Sequence, residues 1–81
     1  MKSHMPRHFN YPTWSALSLD RSGADPLHVQ VFEQIRQAIV QGRISKNSRL
    51  PPTRQLAMEL GVSRNTVVLV YERLLAEGYV A

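Results

Sequence analysis

Four consecutive residues, Ser63, Arg64, Asn65 and Thr66, carry the side chains best suited to chemistry in this sequence, and that chemistry is recognition rather than bond making. An arginine can donate two hydrogen bonds to guanine O6 and N7, and an asparagine can pair at two points with the edge of adenine. Serine and threonine hydroxyls serve base edges or phosphate oxygens. A second polar group lies upstream, where Arg49, Thr53 and Arg54 are suited to phosphate contacts. Turnover finds no support. The sequence has no paired carboxylates at catalytic spacing, no Gly-rich phosphate loop and no histidine set beside a nucleophile. Cysteine is absent, which excludes disulfides, thiolate zinc sites and cysteine nucleophiles. No metal is assigned to His4, His8 or His28.

These residues need helices to present them, and the spacing supplies three. Asp25 is the expected N-cap of the first, with Pro26 at its first helical position, where a missing N–H costs nothing. Leu27, Val31, Ile35, Ala38 and Ile39 then form one apolar stripe, and Gly42 ends the helix. Ile44 follows in a strand or turn that closes over the core. Leu50-Pro51-Pro52 interrupts the chain, and Thr53 is the expected N-cap of a short helix from Arg54 to Leu60. Leu56, Ala57 and Leu60 supply its buried face. Gly61-Val62-Ser63 makes a tight turn, with Val62 plugging the core and Ser63 capping a third helix from Arg64 to about Glu77. Val67, Val70, Tyr71 and Leu74 fall on its inward stripe, Tyr71 as a core aromatic with a solvated hydroxyl. Two short helices joined by a Gly-containing turn are the requirement of a helix-turn-helix, whose second helix protrudes into a major groove. The first turn of that helix, with free N–H groups and a positive dipole end, also favours phosphate. Tyr79-Val80-Ala81 reads as the start of a β-strand.

Size and charge agree. Eighty-one residues suffice for one small domain, which buries only ~60–65% of the surface its unfolded chain exposes. A net charge of +4 suits a polyanionic partner. Neither a membrane-length apolar run nor a signal-peptide pattern is present, so the expected location is cytoplasmic. Residues 1–24 read as an N-terminal arm, with residues 1–5 in part an expression scar, and residues 25–81 as the domain. In the arm, Trp14, Leu17 and Leu19 could pin an extended piece against the domain or against a partner. Arg36, Arg43, Lys46 and Arg73 read as solubility charges.

The stretches PLHVQVFEQIRQAIVQGRI (26–44) and RLPPTRQLAMELGVSRNTVVLVYERLLAEGYV (49–80) together resemble the GntR superfamily of regulators. LPPTR, SRNTVV and the upstream W-x-x-L-x-L-D-R (14–21) resemble its MocR-type branch. The resemblance implies a winged helix-turn-helix, mainly α with a small β-wing. It implies binding to double-stranded operator DNA as part of a homodimer, with Arg54, Ser63, Arg64, Asn65 and Thr66 facing the DNA. It also implies a further, aminotransferase-like domain holding pyridoxal 5′-phosphate, with no cofactor in these 81 residues. The sequence departs from the family pattern in two places. Val68 stands where many such regulators carry a base-reading arginine, which shifts recognition toward Arg64 and Asn65. The sequence also ends at Ala81, ahead of the wing hairpin, so weaker DNA binding is expected. The alternative is a protein-interaction or dimerisation module, which would favour apolar residues in place of the cationic turn at Arg64.

Overall fold

The structure is a computed structural model that describes Trp14 and residues 17–46 and 48–80. The expectations placed on residues 1–5 and on Ala81 lie outside the described residues. Three helices make up the described fold: α1 (Leu27–Val40), α2 (Thr53–Leu60) and α3 (Arg64–Ala76). Helix α3 is the central element, because both α1 and α2 pack against it.

Helix α1 buries Val31, Phe32, Ile35, Ala38 and Ile39. Phe32 widens the expected stripe. It is only 1% exposed, meets Tyr79 edge-to-face and lies 3.8 Å under the Arg73 guanidinium. That cation–π contact, with the Arg73–Glu77 ion pair at 2.8 Å, makes Arg73 a packing residue rather than a solubility charge. Arg36 is likewise paired, at 2.8 Å from Glu33. Hydrogen bonds to Glu33 and then Tyr79 hold its guanidinium above the usual arginine range.

Two expected N-caps are corrected. Helix α1 is capped at Pro26 and helix α2 at Pro52, neither with a side-chain capping bond. In each case the proline sits in extended backbone, with ψ of 153° and 139°, so α1 begins one residue later than expected and α2 one residue earlier. A proline ring forces the preceding residue out of the helical region but leaves its own ψ free, so it can take the flanking position itself. Asp25 therefore stands outside α1, its carbonyl accepting from Gln30 Nε2 at 2.8 Å. Thr53 becomes the first residue of α2. The third cap is as expected: Ser63 accepts from the Thr66 amide at 3.0 Å, and α3 runs to Ala76 with Glu77 as its C-cap.

The core joins α1, α2 and α3 with Trp14, Ile44 and Val80. Leu17, Leu19 and Val62 are half-buried against it, so the apolar residues of the arm dock on the domain itself. Trp14 meets Tyr71 edge-to-face at 6.2 Å. The Tyr71 hydroxyl is not solvated: it is buried and donates to the Pro51 carbonyl at 2.6 Å, tying α3 to the entrance of α2. No strand occurs among the described residues; Ile44 closes over the core in a turn, and Tyr79 and Val80 pack without pairing. The described fold is thus mainly helical, as expected, and the small β-wing that the resemblance implies is not seen among the described residues.

Helix α2 ends in a Schellman arrangement, with Val62 N donating to Ala57 O at 3.0 Å and Gly61 N to Met58 O at 3.3 Å. This needs Gly61 in the left-handed region, at φ +70°. Gly61→Ala should destabilise the chain by ~1–2 kcal/mol through the left-handed backbone penalty, measured by urea unfolding. A Cβ there would also lie 3.1 Å from Arg21 Nη2. Unchanged stability would show that the turn can relax.

Candidate nucleic-acid interface

Helix α2 and the first turn of α3 bring two of the expected polar groups together. Arg64 is the first residue of α3 and Thr53 the first of α2, and Arg64 Nε donates to Thr53 Oγ1 across a long 3.4 Å. Both N-terminal ends therefore share one side of the molecule. Arg54, the next residue of α2, is exposed, as are Ser63, Arg64 and Asn65, while Thr66 is half-buried. Arg49 is exposed in the segment leading to α2. Only Thr53 and Arg64, and Ser63 and Thr66, are tied to each other by bonds seen in the structure.

The electrostatic character of this surface follows from its backbone. The first N–H groups of a helix have no intrahelical acceptor and carry partial positive charge, so an anion is favoured there. Ser63 satisfies one of them, at Thr66, and its hydroxyl also meets Thr66 Oγ1 at 2.8 Å. Arg64, the first residue of α3, and Arg54, the second of α2, add positive charge at the two helix starts. Val68 is half-buried one turn further along α3. No charged side chain is buried among the described residues, and no group of His, Asp or Glu among them could hold a metal.

Ser63 thus has a structural duty besides any contact with a ligand. Ser63→Ala should cost about 1 kcal/mol of stability by removing the cap. Ser63→Asp should keep stability, because aspartate caps equally well, while placing a negative charge on the same surface. Thermal melting of the two variants checks this pair; equal losses would mean that the cap contributes nothing.

Sequence inspection passed over Arg21. Its Nη2 donates to the Leu60 carbonyl at 3.1 Å and to the Gly61 carbonyl at 2.7 Å, at the turn that joins α2 to α3. The only signal was its place at the end of the W-x-x-L-x-L-D-R stretch.

Residues 27–81 match the model of the bacterial regulatory proteins of the gntR family. A probable rhizopine catabolism regulatory protein, MocR, from Rhizobium meliloti is 52% identical over 63 residues, covering 78% of this chain and 13% of its own length. The vitamin B6 salvage pathway transcriptional repressor PtsJ of Salmonella typhimurium is 47% identical over 49 residues, 60% of this chain and 11% of that protein. The pyridoxine biosynthesis transcriptional regulator PdxR of Corynebacterium glutamicum is 42% identical over 52 residues, 64% of this chain and 12% of that regulator. The aligned part of the chain thus spans about an eighth of the length of these relatives.

Proposed function

The chain belongs to the gntR family of bacterial regulatory proteins, in its MocR-type branch, and from that premise we propose that it reads operator DNA with the first turn of α3 in the major groove. It is a DNA-binding helix-turn-helix domain of a transcription regulator and not an enzyme. In the proposed mode Arg64 and Asn65 reach base edges. Arg49, Thr53 and Arg54, with the free amides of α3, hold phosphates and set the register. The observation that carries this reading is the exposed Arg64–Asn65 turn standing beside the N-terminal end of α2. A docking surface for another protein would place apolar residues in that turn, whereas the large exposed apolar residues Val40, Met58, Leu69 and Leu75 all lie outside it.

The wider reading concerns the longer regulator. We propose that it acts as a homodimer on a two-fold site, because paired half-sites mirror the symmetry of a dimeric reader. Pyridoxal 5′-phosphate would be held by a domain outside these residues. The described part of this chain does not fit that cofactor: its one described lysine, Lys46, is exposed in the turn after α1, and no charged side chain is buried to receive a phosphate. No described helix is long and apolar enough to cross a membrane. We propose a cytoplasmic location, because that is where a bacterial regulator meets operator DNA.

The test is fluorescence anisotropy of the chain on a pool of random duplexes, repeated over a range of salt. Affinity that falls steeply with salt, together with enrichment of a two-fold motif, is the expected result. Salt-sensitive binding with no motif enriched would reduce the function to a generic cationic surface. No binding at low salt by the folded chain would overturn the reading.

A further inference from the structure

The arm is tied to α1 by four hydrogen bonds with two glutamine side chains. Gln30 and Gln34 stand one helical turn apart on α1, and each offers its side-chain amide to the arm backbone. Gln34 Nε2 donates to Ser18 O at 2.7 Å while Ser18 N donates to Gln34 Oε1 at 3.1 Å. Gln30 Nε2 donates to Asp20 O and Gln30 Oε1 accepts from Asp20 N, both at 2.8 Å. Ser18 and Asp20 are two residues apart, so both face α1, as alternate residues of an extended chain do. Leu17 and Leu19 alternate with them and pack on the core. The two glutamines therefore act on the arm as a neighbouring strand would, with no strand among the described residues.

This register decides where Arg21 goes. Asp20 closes a turn, its carbonyl accepting from Gly23 N and its Oδ1 from Ser22 N, each at 3.1 Å. Arg21 leaves that turn and reaches the Leu60 and Gly61 carbonyls through a single nitrogen, Nη2. The carbonyl end of a helix carries partial negative charge, and these two carbonyls lie only two or three residues before the Ser63 cap of α3. The guanidinium ties both carbonyls of the turn to the arm. Both Nη2 hydrogens are committed to the protein, which gives Arg21 a holding role at the turn.

We infer that Arg21 is a positioning residue for DNA recognition: the arm, registered on α1 by Gln30 and Gln34, uses it to hold the α2–α3 turn from the side and so sets how Arg64 and Asn65 are presented. This inference rests on the operator-reading function proposed above. Arg21→Met, which keeps bulk but removes the donors, and Arg21→Lys, which keeps a charged donor, are compared with wild type in the full chain. With the duplex motif that the wild-type chain enriches from the random pool as the operator probe, affinity should fall about tenfold for Arg21→Met, as for loss of a charge-assisted hydrogen bond. Affinity for random duplex and the salt slope should stay as in wild type, and Arg21→Lys should recover most of the loss. Hydrogen exchange at the Val62 amide, which closes the turn on Ala57 O, should quicken in Arg21→Met. Equal losses on operator and random duplex with a shallower salt slope would make Arg21 a phosphate contact and overturn the inference. A lowered Tm with unchanged operator affinity would also overturn it, leaving a purely stabilising residue. If the wild-type chain binds no DNA, the functional reading fails, and the exchange measurement then decides alone whether Arg21 holds the turn.

Discussion

Leu74→Ala should remove ~2–5 kcal/mol of folding stability, the range for deleting a buried leucine side chain where neighbours refill the space only in part. Leu74 is fully buried in the core cluster, on the helix that both α1 and α2 pack against. Domains of this kind hold ~5–15 kcal/mol in total, so the loss would consume a large share of it. Each kcal/mol corresponds to about 4–8 °C in Tm for a domain of this length. Leu75→Ala is the control. Leu75 is the next residue on the same helix and 47% exposed, so its truncation should change stability by no more than ~0.5 kcal/mol. Thermal and urea unfolding of the two variants test the helical phase directly, and equal effects would show that the inward face of α3 is misassigned.

That phase was legible because one-faced burial leaves a periodic trace. Val67, Val70, Tyr71 and Leu74 recur at helical spacing and are the buried residues of α3. The turn was equally plain, since Gly61 and Ser63 each have a local backbone reason to be there. What could not be read locally depended on partners distant in sequence. Phe32 falls beside the α1 stripe, and its burial requires Tyr79 and Arg73, which arrive from the far end of the chain. The Tyr71 hydroxyl finds Pro51 twenty residues away, and Arg21 finds Gly61 forty away. No periodicity encodes such pairs. The N-cap errors have another origin: Asp25-Pro26 and Pro52-Thr53 each offer two adjacent residues that can flank a helix, and propensity alone does not separate neighbours.

The candidate site divides in the same way. The residue types at Arg64 and Asn65 raised the expectation of recognition, while the structure adds that Arg64 leans on Thr53 of the neighbouring helix. This contact bears on what Arg64→Ala would report. The bond is long, at 3.4 Å, and exposed, so its loss should cost the free protein little. The main effect should appear in the complex. If Arg64 reads a guanine, operator binding should weaken by ~1–3 kcal/mol, while binding to random duplex falls much less. If it holds a phosphate instead, both should fall alike and the salt slope should shrink by about one. Thr53→Ala separates a third possibility, that Thr53 steers the guanidinium before DNA arrives. A preoriented arginine loses less freedom on binding, so removing its support should weaken operator binding in the same direction but by less than Arg64→Ala. In the double variant the Thr53 effect should then vanish, because there is no longer a guanidinium to orient. Additive losses would place Thr53 on the DNA independently, as a phosphate contact of α2.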